Sequence, residues 1–205
     1  MNLILSFFLI FFVFHIGIIP FFLLYRFSDL MYLLLYYVFG YRKKVVYQNL
    51  SKTFPDLDKS SLNKLVRRSY KNLTDIIVEG IKGFTLTHHQ IMKRHKIVNP
   101  EIAEPYLKAG KSIIALPTHY GNWEWGALSP GLYIKGFNII GFYKPLSNPY
   151  IDKFMRKNRS RTGTALASIY ETHNTFEHHK DIPSVYIMAV IKAHPTPKNL
   201  IGWIF

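Results

Sequence analysis

The chain has no cysteine. That excludes a disulfide framework, a thiolate zinc site, an iron–sulfur cluster and a cysteine nucleophile, and it permits a reducing compartment. Acidic residues are scarce: 12 Asp and Glu stand against 26 Lys and Arg, for a formal net charge of +14. Such an excess calls for an anionic partner, and the candidates are nucleic acid, a phospholipid surface or an acidic protein. No Gly-x-Ser-x-Gly elbow occurs, which removes the usual serine-hydrolase signature. There is no internal repeat and no low-complexity linker. With 205 residues there is room for one modest domain and an appendage. A hydrophobic share of 49%, with 16 Phe and 14 Tyr, rules out a disordered or collagen-like chain.

The hydrophobic residues are unevenly spread. Leu3 to Tyr25 is a run of 23 residues without Asp, Glu, Lys or Arg. At a rise of about 1.5 Å per residue, one helix of that length crosses a bilayer core of roughly 30 Å. A second apolar run, Leu30 to Gly40, is too short to span and reads as interfacial or buried. Met1 and Asn2 provide no basic n-region, so the first run is expected to be retained rather than cleaved. Arg26, Arg42, Lys43 and Lys44 follow it, which puts the bulk of the chain on the cytoplasmic side. The competing explanation is a buried core helix of a soluble protein. A nucleic-acid-binding module is disfavoured by the apolar start and by the lack of a recognition motif.

Beyond residue 40, Tyr47 to Phe84 reads as largely helical, with Leu62, Leu65, Val66, Leu73, Ile76 and Ile77 at mostly helical spacings. Pro55 and Asp56 mark a turn within it, and Asp58 is a candidate cap. His88 to Glu104 shows little periodicity and is expected as loop or short strand. Strands are expected over 111–117, 137–142 and 181–189, and helices over 122–128 and 150–161. Strand alternating with helix predicts an α/β fold built on an open sheet.

Gly110-Lys111-Ser112 is not a phosphate loop. Pro105 stands where the first glycine belongs, and the segment precedes a strand instead of opening a helix. His173, Glu177, His178 and His179 are too irregularly spaced for a metal site and read as polar surface, as do His88 and His89; no metal or cofactor is expected. Thr118-His119-Tyr-Gly-Asn-Trp-Glu124 is more informative, because it follows a strand and runs into a helix. On one continuous helix His119 and Glu124 would lie roughly 140° apart. They can meet if His119 sits at the strand end and Glu124 in the first helical turn, with Gly121 permitting the bend. The carboxylate would then fix the imidazole tautomer and raise its basicity, giving a general base for a hydroxyl. Spacing alone leaves a purely structural His–Glu pair open.

His119-Tyr-Gly-Asn-Trp-Glu124 resembles the signature of the bacterial lipid A late acyltransferases, relatives of the glycerol-phosphate acyltransferases. Gly141-Phe-Tyr-Lys-Pro-Leu-Ser-Asn-Pro-Tyr150 resembles that family's second block, and the apolar start and the Asn49-Leu50 to Phe54-Pro55 stretch also fit. The resemblance runs from near residue 1 to about residue 189. It implies an open sheet flanked by helices, with residues 1–40 as membrane anchor and interfacial segment and 41–205 as acyltransferase domain. It implies transfer of a fatty acyl group from acyl carrier protein, or from coenzyme A, to a hydroxyl of a lipid A precursor. The work would take place on the cytoplasmic face of the inner membrane. His119 would be the general base and Glu124 its orienter. Lys144, Arg156 and Arg159 would contact phosphate or sugar-acid groups of the acceptor, although a solvated basic helix equally accounts for Arg156 and Arg159. The alternatives are an aminolipid or other glycolipid acceptor, or a non-catalytic membrane-anchored fragment.

Members of that family carry Asp-Gln after a strand like Ser184 to Ala189, whereas Val190-Ile-Lys-Ala-His-Pro195 follows here. Val190-Ile191-Lys192 has codons that read Asp-Gln in a shifted frame. The acyltransferase domain is therefore expected to be incomplete at its C-terminal end, through a reading-frame change near Val190.

Overall fold

The computed structural model describes residues 2–188; the expectations for the segment beyond lie outside the described residues. In chain order the helices are α1 (Asn2–Ile18), α2 (Phe21–Leu33), which continues as a π-helical turn over Leu34–Val38, α3 (Lys43–Thr53), α4 (Lys59–Lys82), α5 (His88–Arg94) and α6 (Glu104–Lys108). Strand β1 (Ile113–Ala115) comes next, then α7 (Trp123–Leu128), α8 (Pro130–Tyr133), β2 (Asn138–Tyr143), α9 (Pro149–Ser160), β3 (Ala165–Ser168), α10 (Thr172–His178) and β4 (Ser184–Ile187). The described chain divides into two compact units, one of residues 2–18 with 80–188 and one of residues 19–79.

The first unit is α/β. Its four strands are all parallel, in the order β1-β4-β2-β3, with Ile113 opposite Val185, Ile139 opposite Val185 and Ile140 opposite Ala165. Parallel neighbours need helical crossovers, which cover the faces of the sheet. Leu107, Ile139 and Val185 are buried together, with Ala103, Ile113, Ile134 and Ile187 against them. Phe142, Phe176 and Tyr186 form a separate aromatic cluster. The open sheet with flanking helices is as the sequence predicts. Strand β3 has no counterpart in the sequence reading, because Ala165-Leu-Ala-Ser168 is short, carries no β-branched residue and lacks an apolar run.

In the second unit α4 presents Leu62, Val66, Tyr70 and Ile76 inward, while Lys64, Arg67 and Arg68 are exposed. Val66 and Tyr70 pack with Tyr36 and Val46. Asp58 opens α4 as expected, accepting from the N–H groups of Ser60 and Ser61 at 2.8 and 3.0 Å. A polar seam joins α2 to α4. Tyr25 donates to Glu79 and Ser28 to Asp75, each at 2.6 Å, and Lys71 bridges Asp29 and Asp75 at 2.6 and 2.8 Å.

Two expectations are corrected. The apolar run from Leu3 is not one helix, because α1 ends at Ile18 and Pro20 stands as N-cap of α2. Proline lacks the donor N–H and disfavours helical backbone in the residue before it. Among the described residues, the one helix long and apolar enough to cross a membrane is Phe21–Val38, which takes in most of the Leu30–Gly40 run. Residues 88–94 are helical rather than loop. A reciprocal capping box starts that helix, with Thr87 accepting from the Gln90 N–H and the Gln90 side chain accepting from the Thr87 N–H.

Candidate active site

Strand β1 delivers the chain to one end of the sheet. In a parallel sheet that end, beyond the strand C-termini, is where ligands bind. Residues 116–122 form a loop in which His119 occupies an exposed bend and Gly121 takes φ +63°, a left-handed value that favours glycine. Asn122 then starts α7, its side-chain oxygen accepting from the Trp125 N–H at 3.2 Å. The local chemistry of the motif thus supplies the turn and the cap, and Glu124 falls in the first helical turn. The His119 ring lies 5.5 Å from that of Trp123.

Glu124 is four-fifths buried, and both its oxygens are engaged by Arg159 of α9. Nη2 donates to Oε1 at 2.6 Å and Nε to Oε2 at 3.1 Å. This is a bidentate, charge-assisted pair, stronger and more directional than a single contact. The structure therefore brings together two of the residues singled out in the sequence, though not the two expected to pair. Among the described residues no hydrogen bond joins His119 to Glu124, and Arg159 faces Glu124 rather than standing open for a phosphate.

The second block is organised by its own side chains. Asn148 caps α9, accepting from the N–H groups of Tyr150 and Ile151 at 3.0 and 3.3 Å, with Pro149 at the first helical position. Asp152 accepts from the Leu146 N–H at 2.8 Å and from the Tyr143 hydroxyl at 3.4 Å, which folds the loop after β2 back onto α9. Burial pushes the Tyr143 phenol above its ordinary range, against the pull of Arg156 and with Asp152 adding to the rise. Lys144, one residue past β2, and Arg156 are both exposed, and the Arg156 guanidinium lies 5.8 Å from the centre of the Tyr143 ring. Lys144 and His119 thus follow parallel strands at the same end of the sheet.

Arg161 is a feature the sequence reading missed. Its Nη2 donates to the carbonyls of Gly83 and Leu86 at 2.9 and 2.8 Å, and burial lowers its affinity for a proton. No local signal separates it from the other basic residues of this helix, because its partners are some 75 residues away. His95 is also half-buried. Its Nδ1 lies 2.9 Å from the fully buried Ser129 hydroxyl, and burial lowers its pKa. Among the described residues no group of three or more His, Asp or Glu side chains is placed to hold a metal.

A curated relative, the lipid A biosynthesis lauroyltransferase of Escherichia coli (strain K12), is 23% identical over 125 residues. That match takes in 61% of this chain and 40% of the relative, so the chain spans less than half the length of the protein it matches. The sequence profile of bacterial lipid A biosynthesis acyltransferases matches residues 2–189, which include both motif blocks and every strand of the sheet. On that match, the chain belongs to the bacterial lipid A biosynthesis acyltransferase family.

Proposed function

We propose that the protein transfers a fatty acyl group from the thioester of an acyl carrier protein to a hydroxyl of a lipid A precursor, at the cytoplasmic face of the inner membrane. The observation that carries this reading is the His119–Glu124 motif, set beyond a parallel strand with its carboxylate pinned by Arg159. His119 takes the proton of the acceptor hydroxyl as its oxygen attacks the thioester carbonyl carbon. A new C–O bond forms, the tetrahedral intermediate collapses, and the C–S bond breaks. The imidazolium then returns the proton to the departing thiolate. Arg159 fixes the position of Glu124, the carboxylate that orients the imidazole once the acceptor is bound. Lys144 and Arg156 contact acceptor phosphates, for which exposed cationic donors suit the role.

Residues 1–40 serve as the membrane-contacting segment and 41–205 as the acyltransferase domain. In support, Phe7, Phe8, Phe22, Val38 and Phe39 are all more than three-fifths exposed, a large apolar surface for a protein in water. The net charge of +14 suits both anionic lipid and an acidic carrier protein. The test uses detergent-solubilised protein, radiolabelled acyl carrier protein and a lipid A precursor. Transfer that is abolished by His119→Ala supports the reading. No transfer by the wild-type protein, with coenzyme A thioester tried in parallel as donor, overturns it.

A further inference from the structure

An apolar helix that serves only as an anchor needs no specific contacts with the rest of its protein. Helix α1 has them along one stripe. Ser6, Val13, Ile16 and Gly17 are buried, while Leu5, Phe8, Phe12 and Ile18 are exposed. Near one end the Ser6 hydroxyl accepts from the Asn148 amide at 2.9 Å, and Asn148 is the residue that caps α9. Midway, the Phe14 ring lies 6.0 Å from Phe154 of α9. At the other end the Gly17 carbonyl accepts from both Lys82 and Thr85. A methyl group on Gly17 would stand 2.6 Å from Thr85 Cγ2, so an alanine there obliges Thr85 or α1 to shift.

The segment that receives Gly17 also holds the far end of α9. Phe84 stacks on Phe154 with ring centres 4.5 Å apart and an interplanar angle of 9°. Arg161 ties the C-terminus of α9 to the carbonyls of Gly83 and Leu86. Helix α9 is therefore held at its N-cap, Asn148, and at its C-cap, Arg161; α1 meets the first directly and reaches the second through the 82–86 segment that both Gly17 and Arg161 bind. Arg159, which pins Glu124, lies just before the second of them.

We infer that α1 is a positioning element of the active site: it sets the placement of α9, and so of Arg159 against Glu124. The catalytic consequence rests on the proposed acyl transfer, whereas the packing consequence does not. The site should thus depend on how α1 is seated as well as on whether it is present.

The experiment uses full-length protein in detergent micelles, where membrane delivery is not limiting. Gly17→Ala is expected to speed backbone amide exchange in α9 about tenfold, as loosening of a local unit does. It should lower kcat about tenfold with KM for the acyl carrier protein thioester unchanged, the pattern of a lost transition-state interaction. Adding Thr85→Ser removes the offending methyl, keeps the hydroxyl donor, and should restore both readings. Ser6→Ala should shift both in the same direction by a smaller factor. Unchanged α9 exchange in Gly17→Ala and Ser6→Ala would overturn the inference. So would faster exchange with unaltered kcat, or a failure of Thr85→Ser to rescue folded Gly17→Ala protein. If the wild type transfers no acyl group, the acyl-transfer reading fails on its own, and α9 exchange still decides whether α1 holds α9.

Discussion

Glu124 and Arg159 meet as a two-point ion pair, at 2.6 and 3.1 Å, although 35 residues separate them and neither residue's local sequence points to the other. One sits in the first turn of a six-residue helix, the other near the end of a basic one. Because both side chains are about four-fifths buried, each depends on the other for compensation of its charge. Glu124→Ala should therefore destabilise the fold by roughly 2–3 kcal/mol, the cost of stranding a partly buried charge. Arg159→Lys, which keeps the charge and loses the fork, should cost about 1 kcal/mol and lower turnover. Thermal melts paired with transfer assays check both. A melt unchanged in Glu124→Ala would show that the pair contributes no net stability.

His119 lies in an exposed bend and has no hydrogen-bond partner among the described residues. Replacing it should leave the melting temperature nearly unchanged while turnover falls by a factor of about 10² to 10⁴, the usual contribution of a general base. Near-normal turnover in His119→Ala would assign the proton transfer to another group.

A second histidine sets a pH dependence. Burial holds His95 below its ordinary pKa in the folded state, so the unfolded chain binds more protons between the folded value and about 6.5. Stability should therefore rise with pH through that window and fall as the pH drops below about 6.5. Melting temperatures recorded from pH 5 to 7.5 would show it, and His95→Gln should flatten this part of the curve. An equal slope in the variant would assign the dependence to other groups.

Membrane association should rest mainly on apolar surface. The exposed Phe and Leu side chains of the first two helices do not respond to salt, whereas the attraction of Lys and Arg for headgroups is screened. A high-salt wash should leave most of the protein in the membrane fraction, and detergent should release it. Recovery of the untreated protein in the soluble fraction would defeat the membrane assignment.

Much of this protein is local physics and could be read from the sequence. Asp58 and Asn148 cap helices because a short acceptor side chain reaches the N–H groups just ahead of it. Gly121 and Asn122 turn the chain from β1 into α7 within a few residues, which puts Glu124 in the first helical turn as the sequence predicts. The three stronger strands announce themselves by apolar runs. Where two local signals compete, the outcome is harder to read: a continuous apolar run argued for one helix from Leu3, and Pro20 divided it.

What only the tertiary structure decided concerns partners distant in sequence. Ser6 reaches Asn148, Gly17 receives Lys82 and Thr85, Arg161 binds Gly83 and Leu86, and Arg159 pairs with Glu124. An arginine carries the same donors whether it faces a phosphate or a carboxylate, so its type cannot announce which one it meets. Strand β3 likewise exists because β2 offers its edge to Ala165–Ser168, since that segment has too little intrinsic preference to be a strand alone. Capping, turning and amphipathic patterning act over a few residues and are written there, whereas pairing across a fold depends on which surfaces packing brings together.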